Sequence, residues 1–100
     1  MDVFSRTELL LGQAGMERLK KARVAVFGLG GVGGYAAEAL ARSGVGALDL
    51  VDNDSVSETN INRQIVALLS TVGKRKTEAA AARIKDVSPA CAVRCFDLFV

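Results

Sequence analysis

Glycines in the first half of the chain, followed by one aspartate, are spaced for binding a nucleotide. Gly28, Gly30 and Gly33 form a G-x-G-x-x-G pattern between an apolar run and an alanine-rich segment. Glycine lets the backbone turn sharply and approach a ligand, and the first amides of the helix that follows are unpaired donors for phosphate. Asp52 ends the next apolar run, where its carboxylate can accept hydrogen bonds from ribose hydroxyls. This combination predicts a nucleotide site, and both dinucleotides and ATP use such a turn.

Cations further along the chain favour a triphosphate. Lys74, Arg75 and Lys76 crowd the predicted first turn of a helix, where the helix dipole disfavours each cation by roughly 0.3 kcal/mol or more. A bound anion would offset this cost, and Arg63 in the polar run NINRQ lies at the same end of the predicted sheet. We therefore predict phosphate contacts for Arg63 and Lys76, and we interpret Arg75 as a solvated surface charge.

Composition excludes several classes of chemistry. The 100 residues include no histidine, so Ser-His and Cys-His nucleophile pairs and most zinc sites are excluded within this chain. The formal net charge of +2 is too small to argue for nucleic acid by itself. Cys91 and Cys95 do not form a C-x-x-C motif and are predicted to be small buried residues of a strand. No segment approaches the roughly 18 apolar residues of a membrane span, and no signal pattern is visible, so we expect a cytoplasmic protein without membrane contact.

The elements that must position these residues alternate between strand and helix. Apolar runs predict strands over residues 24–27, 47–51 and 91–98, and helical periodicity predicts helices over residues 32–42 and 73–87. The order β-α-β-α-β indicates an α/β fold, a Rossmann-like doubly wound parallel sheet.

Finer expectations concern the helices and the loops. A helix that Gly12 and Gly15 interrupt is predicted to precede the sheet, starting at an S-x-x-E capping box over residues 5–8. Residues 60–69 are predicted to form a short helix or an ordered loop. In the helix over residues 32–42, the stripe predicted to face the sheet consists of Val32, Tyr35, Ala36, Ala39 and Leu40.

Three stretches, GLGGVG, DNDSVSETNINRQ and VGKRKTE, resemble the adenylating enzymes of the ubiquitin-activating (E1-like, ThiF/MoeB/HesA) superfamily. This superfamily includes activators of sulfur-carrier proteins for molybdopterin and thiamine synthesis. The resemblance spans residues 4–100, and its most specific motif is N-x-N-R-Q over residues 60–64, followed by Lys76. The stretches TNINRQI, SPAC and DLFV are more similar to the branch of tRNA threonylcarbamoyladenosine dehydratases than to the sulfur-carrier activators.

The resemblance implies two domains and a role for each matching residue. Residues 1–22 would be an N-terminal helical segment, and residues 23–100 the N-terminal part of an ATP-binding adenylation domain. Because three parallel strands leave much apolar surface uncovered, we expect this domain to be truncated. The residues that the resemblance assigns to ATP binding are Gly28, Gly30, Gly31, Gly33, Asp52, Asp54, Asn60, Arg63, Gln64 and Lys76.

Three of the implied roles are catalytic. Arg63 and Lys76 would hold the triphosphate and stabilise charge as pyrophosphate leaves. Arg6 matches an arginine that in several family members reaches the ATP site of the partner subunit, which implies catalysis in trans and a homodimer. The family's Mg²⁺-binding aspartate lies beyond Val100, so no metal ligand is expected within this chain and this piece alone is expected to be inactive.

The implied chemistry is ATP-dependent activation of a carboxylate as an acyl-adenylate, with ATP and Mg²⁺ as cofactors. In the dehydratase branch the carboxylate belongs to N6-threonylcarbamoyladenosine in tRNA, and the activated group cyclises with overall loss of water. tRNA is then the partner. Two alternatives stay open. One is adenylation of the C-terminal glycine of a ubiquitin-like sulfur-carrier protein, and the other is an NAD-dependent oxidoreductase that uses the same glycine turn.

Overall fold

The structure is a computed structural model that describes residues 5–99, with side chains described from residue 9 onward. Its helices and strands are, in chain order, α1 (Ser5–Lys21), β1 (Arg23–Phe27), α2 (Val32–Ser43), β2 (Ala47–Val51), α3 (Lys76–Val87) and β3 (Ala92–Phe96). The three strands form one sheet in the order β1-β2-β3, and both strand pairs are parallel. The predicted β-α-β-α-β order is therefore confirmed.

The core lies between one face of the sheet and the helices α2 and α3. Leu48 and Leu50, at alternate positions of the central strand β2, have no exposed surface, and they belong to one buried cluster with Ala41 of α2 and Ile84 of α3. Burying a leucine side chain stabilises a fold by about 1.5–3 kcal/mol, so this layer holds the two helices against the sheet.

The predicted buried stripe of α2 was wrong for most of its members. Gly34, Ala37 and Ala41 are the buried residues of this helix, whereas Val32 and Tyr35 are 85% and 55% exposed. The reason is a backbone contact, because a Cβ at Gly34 would lie 2.7 Å from the carbonyl oxygen of Leu29. The glycine side of the helix therefore approaches the turn before it, which rotates the larger apolar residues outward. Of the predicted stripe, Leu40 does pack against the core.

The N-terminal helix is broken at one of the two predicted glycines. Gly12 has φ 75° and ψ 171° inside α1, which is a kink, whereas Gly15 keeps helical geometry. After the kink, Met16 is buried and Leu19 packs against the core. The predicted capping box over residues 5–8 lies outside the described side chains.

Helix α3 is shorter than predicted, because it begins later in the chain. Helix α3 begins at Lys76 rather than at residue 73, because Gly73 has φ +89° and Arg75 is extended. Residues 60–69 form an ordered loop, flanked by short 3₁₀ turns at Glu58–Asn60 and Leu69–Thr71. Among residues 5–99, none of the helices combines the length and the hydropathy that crossing a bilayer requires.

The two cysteines have different environments. Cys91 precedes β3 and is buried, as predicted, whereas Cys95 lies within β3 and is exposed, so that part of the prediction was wrong. Desolvation raises the pKa of both thiols, and a hydrogen bond from Cys95 Sγ to the carbonyl oxygen of Thr77 spans 3.5 Å. Neither thiol is therefore activated as a nucleophile.

Candidate functional site

The glycine turn and Asp52 are joined by short hydrogen bonds at the C-terminal edge of the sheet. The N–H of Leu29, inside the turn, donates to Asp52 Oδ2 at 2.7 Å, and the N–H of Asp54 donates to Asp52 Oδ1 at 2.8 Å. The N–H of Gly28 donates to the carbonyl oxygen of Val51 at 2.8 Å. Each carboxylate oxygen of Asp52 keeps acceptor capacity after these bonds, so Asp52 is held in place and can still accept from a ligand hydroxyl.

The turn has the space and the free donors that a phosphate needs. A Cβ at Gly33 would lie 1.8 Å from the carbonyl oxygen of Gly28, so only glycine allows α2 to start this close to β1. Gly31, the N-cap of α2, has φ 53° and no side-chain capping hydrogen bond. Among the described residues, the N–H groups of Val32 and Gly34 at the start of α2 donate to no backbone oxygen, whereas the N–H of Gly33 donates to the carbonyl oxygen of Gly30 at 3.3 Å. Two amides of the first turn of α2 are therefore available to an anion, and nothing lies within 4 Å of a Cβ position at Gly31. The residues present fit a nucleotide phosphate.

A cavity of about 210 Å³ opens beside this turn. We call it the turn cavity. It is lined by Gly28, Val51, Asp52, Asn53, Asp54, Leu98 and Phe99. Leu98 and Phe99, which are 57% and 86% exposed, give the turn cavity an apolar wall on which a nucleotide base could pack. Sequence reasoning missed both residues, although the rule that ligands bind beyond the C-terminal ends of parallel strands would have identified them, since they follow β3.

Lys76 does not itself line the turn cavity, but it contacts Asp54, which does. It is the first residue of α3 and only 7% exposed, and its Nζ is 3.8 Å from Asp54 Oδ2. This distance is longer than a hydrogen bond, so the ammonium group lies close to the carboxylate and keeps its N–H donors free of it. The backbone N–H of Lys76 donates to the carbonyl oxygen of Asp54 at 3.0 Å, which fixes the helix start against the loop after β2.

Arg63 and Gln64 line a different groove, of about 280 Å³, together with Tyr35 and Arg83. The Nη1 atom of Arg63 donates to the carbonyl oxygen of Thr59 at 3.0 Å and to Asn62 Oδ1 at 3.1 Å, so its guanidinium group is bound to its own loop. The structure therefore does not bring Arg63 into the turn cavity, and its phosphate contact stays a prediction.

Asn60 and Gln64 support the loop and the turn. Asn60 is 9% exposed, and its Oδ1 accepts from the N–H of Ser57 at 3.0 Å, which holds the 3₁₀ turn closed. The side-chain amide of Gln64 lies against Gly30, with Nε2 3.1 Å from the position of a Cβ there, and its Oε1 is buried without a hydrogen-bond partner among residues 9–99. Gln64 thus brings residues 60–69, which we call the arginine loop, into contact with the glycine turn. The side chain of Arg6 lies outside the described residues.

Comparison with known proteins identifies the family. Residues 4–100 match the ThiF family. The chain belongs to that family. The predicted resemblance to E1-like adenylating enzymes is therefore confirmed.

Several relatives of this ThiF-family chain carry functional names. The tRNA threonylcarbamoyladenosine dehydratase of Bacillus subtilis is 57% identical over 96 residues, which are 96% of this chain and 38% of that protein. The Escherichia coli protein of the same name is 47% identical over 97% of this chain and 36% of its own length. The probable adenylyltransferase/sulfurtransferase MoeZ of Mycobacterium tuberculosis is 41% identical over 88% of this chain and 22% of its own length. The chain thus spans less than two fifths of these relatives.

Solved structures of a ThiF-family relative agree with the fold. The E. coli dehydratase TcdA in complex with ATP has a TM-score of 0.95 and 47% identity, and the match covers 97% of this chain and 40% of that one. The complex of the same protein with AMP also has a TM-score of 0.95, with 97% of this chain and 39% of that chain covered. The predicted Rossmann-like fold is confirmed by this agreement.

Proposed function

We propose that this chain is the ATP-binding part of a tRNA threonylcarbamoyladenosine dehydratase. The observation that carries the proposal is 57% identity over 96 residues with the B. subtilis enzyme of that name, across the glycine turn, the arginine loop and the start of α3. Relatives named as adenylyltransferases and sulfurtransferases are less similar, as MoeZ shows at 41% identity. ATP as the nucleotide is supported by the E. coli dehydratase, which has been crystallised with ATP and with AMP.

The turn cavity would hold the adenosine part of ATP. Asp52 would accept from the ribose hydroxyls, because both of its oxygens keep free acceptor capacity beside the cavity. Leu98 and Phe99 would form the apolar wall against the base. The phosphates would then extend past Gly30 and Gly31 toward the free amides of α2.

The reaction would be attack of the substrate carboxylate oxygen on the α-phosphorus of ATP. The bond from that phosphorus to the β-phosphate oxygen breaks, and pyrophosphate leaves. Lys76 and Arg63 would be catalytic by stabilising the charge on the phosphates, so no histidine base is required. A nucleophilic group of the same modified adenosine would then form a bond to the activated carbonyl carbon. The bond from that carbon to the adenylate oxygen breaks, AMP leaves with this oxygen, and the nucleophile releases a proton to solvent, so that the substrate loses one water overall.

Two of the predicted side chains would contact the phosphates, and two would hold the loop and the glycine turn in place. Lys76 lies close enough to Asp54 to exchange that carboxylate for a phosphate by a small side-chain movement. Arg63 would leave the carbonyl oxygen of Thr59 to reach the phosphates, and its side chain is exposed enough to rotate. Asn60 and Gln64 would act by holding the loop and the glycine turn, since their described contacts are with protein groups.

Further features of the proposed enzyme come from the family resemblance. Residues 1–22 are proposed as a helical segment in front of an adenylation domain that starts at residue 23, and the protein is proposed to act in the cytoplasm. Mg²⁺ is proposed as the counter-ion of the triphosphate, because at such sites it is held by one or two carboxylates together with substrate phosphates.

A homodimer with Arg6 acting in trans can be tested by subunit mixing. Arg6→Ala and Lys76→Ala are each expected to lower adenylation strongly, by up to about 1000-fold, and mixed dimers of the two are expected to recover part of it. In a mixed dimer one site combines an intact Lys76 with an intact Arg6 from the neighbouring subunit. A monomeric intact protein in sedimentation analysis, or mixing without recovery, would contradict the role in trans.

The substrate is tested by ATP–pyrophosphate exchange with the intact protein. Exchange is expected to rise with tRNA that carries threonylcarbamoyladenosine and to stay at the background level with unmodified tRNA. The alternative, adenylation of a sulfur-carrier protein, is favoured by the similarity to MoeZ and predicts stimulation by a diglycine-ended carrier. Stimulation by the carrier alone would replace the proposed substrate.

The nucleotide is tested separately by calorimetry. ATP is expected to bind the intact protein, whereas an NAD-dependent oxidoreductase would bind NAD. Tight NAD binding without ATP binding would overturn both adenylation proposals.

A further inference from the structure

The start of α3 is tied to the end of β3 by a carboxylate that sequence reasoning did not single out. Thr77, the second residue of α3, is 1% exposed, and its Oγ1 donates to Asp97 Oδ1 at 2.8 Å. The other oxygen of Asp97 lies 3.6 Å from Nε of Arg75, just before the helix. Asp97 follows β3 directly, so this contact joins the helix start to the C-terminal edge of the sheet.

Helix α3 needs such an anchor because it lacks a cap of its own. Its N-cap residue, Arg75, makes no side-chain capping hydrogen bond, and Gly73 shortly before it has φ +89°. A buried hydroxyl that donates to a carboxylate is a strong, charge-assisted bond. The orientation of the first turn of α3 therefore depends more on Asp97 than it would if a side chain capped the helix.

Lys76 stands between the two anchored residues. Its backbone is fixed by the anchor and by the bond from its N–H to the carbonyl oxygen of Asp54, and its side chain is only 7% exposed. Because the surrounding atoms limit the rotation of this buried side chain, the position of its Nζ is set by the position of the helix start. A shift or rotation of the first turn would thus displace Nζ relative to the turn cavity.

We infer that Asp97 is a positioning residue that, through Thr77, fixes Lys76 for its contact with the phosphates of ATP. The inference rests on the proposed function, because it assigns to Lys76 the role proposed there. Asp97 also comes directly before Leu98 and Phe99, which line the turn cavity. The same carboxylate therefore anchors the wall for the base and the helix that carries the lysine.

The test compares Thr77→Val with Thr77→Ser and Lys85→Met in ATP–pyrophosphate exchange by the intact protein. Valine keeps the shape of Thr77 and removes the donor, whereas serine keeps the donor. Thr77→Val is expected to lower kcat by about 10- to 100-fold, since a displacement near 1 Å can cost that much, and to leave KM for ATP nearly unchanged. Thr77→Ser is expected to stay close to the unmodified protein.

Lys85→Met is the matched control at the opposite end of the same helix. Lys85 Nζ donates to the carbonyl oxygen of Cys91 at 3.0 Å, so this variant also removes one side-chain hydrogen bond that ties α3 to the chain before β3. Its kcat is expected to be unchanged, and thermal unfolding checks that both variants are folded. Equal loss of kcat in Thr77→Val and Lys85→Met would overturn the inference, because a general weakening of α3 would then explain both.

A double variant separates this inference from the proposed function. If Thr77 acts through Lys76, Thr77→Val is expected to add no loss to Lys76→Ala. A full further loss would show an independent effect and overturn the inference while the proposed function stands. Full activity of Lys76→Ala itself would contradict the proposed role of that lysine, and the inference would fail with it.

Discussion

Asp49 and Asp52 lie close together at β2, and their surroundings are opposite in kind. Asp49 is on the sheet face turned away from the helices, where Arg94 Nε and Nη2 donate to it at 2.9 and 3.0 Å and Arg23 Nε at 3.1 and 3.2 Å. Arg94 and then Arg23 hold the pKa of this carboxyl well below its ordinary value. Asp52, at the strand end, accepts from the two backbone amides of Leu29 and Asp54 and has no salt bridge among residues 9–99.

The same chemical group is therefore paired with two arginines in one place and oriented by backbone amides, with acceptor capacity left over, in the other. The charge of Asp49 is already matched by cations of the neighbouring strands, and it joins all three strands across the sheet. At the C-terminal edge, Asp52 is oriented by backbone groups and Lys76 is 3.8 Å from its nearest carboxylate oxygen, on Asp54. Groups that are held in position and still incompletely paired are those that a ligand can use.

Replacing Lys76 is expected to have the largest effect on activity. It therefore distinguishes most clearly between the C-terminal edge of the sheet and the sheet face that carries Asp49. Lys76→Ala is expected to lower ATP–pyrophosphate exchange by about 1000-fold, because it removes the cation that we propose to stabilise the developing phosphate charge. Lys76→Met, which keeps most of the buried side-chain volume, is expected to lose a similar amount of activity while unfolding at nearly the temperature of the unmodified protein. Activity retained in the methionine variant would show that the reaction does not need the charge of Lys76, and that this residue, like Asp49, has only a structural role.

Arg63→Ala is expected to have the next largest effect, about 100-fold on exchange activity. Its guanidinium group must first leave the carbonyl oxygen of Thr59, so part of the gain from the phosphate contact is offset by the bond that is lost. Because the side chain is exposed, thermal stability is expected to stay within the error of measurement. Arg42→Ala, which removes an exposed arginine from an ion pair on α2, is the control and is expected to keep full activity.

Local sequence signals predicted the part of the site that the backbone forms. The glycine turn and Asp52 were found because they combine a short motif with a strand end, and β2 was predicted at its observed bounds. The buried face of α2 could not be predicted in this way, since the close approach of Gly34 to the carbonyl oxygen of Leu29 sets the rotation of the helix.

Contacts between segments that are remote in sequence could not be predicted from local signals. Asp97 is remote in sequence from Thr77, and nothing in either segment indicates that their side chains meet. Leu98 was predicted only as a strand residue, and Phe99 only as part of the stretch DLFV, although both line the turn cavity. Arg63 was predicted at the same end of the sheet as Lys76, and its described hydrogen bonds are to its own loop, beside another groove, so its phosphate contact stays a prediction.

Asp52→Asn is expected to weaken ATP binding by about 10-fold, with a smaller effect on the chemical step. An amide keeps one acceptor oxygen, but its NH₂ group faces one of the two backbone N–H donors that now bind the carboxylate. Calorimetric titration with ATP measures the affinity. Asp86→Asn, at an exposed position near the end of α3, is the control. Equal affinity of Asp52→Asn and the unmodified protein would show that Asp52 serves only to hold the turn.

Asp49→Asn is expected to give the smallest effect and to act on stability alone. Exchange activity and ATP affinity should not change, because Asp49 lies on the sheet face and does not line the turn cavity. The pKa of Asp49 is lower in the folded protein than its ordinary value of 3.8, so its contribution to stability is fully present above that pH and is lost as the pH falls below it. The difference in unfolding free energy between the two proteins should therefore shrink on acidification below about pH 4. Urea unfolding at a series of pH values measures this, and a difference that stays constant or grows on acidification would show that the arginines do not favour the charged form of Asp49.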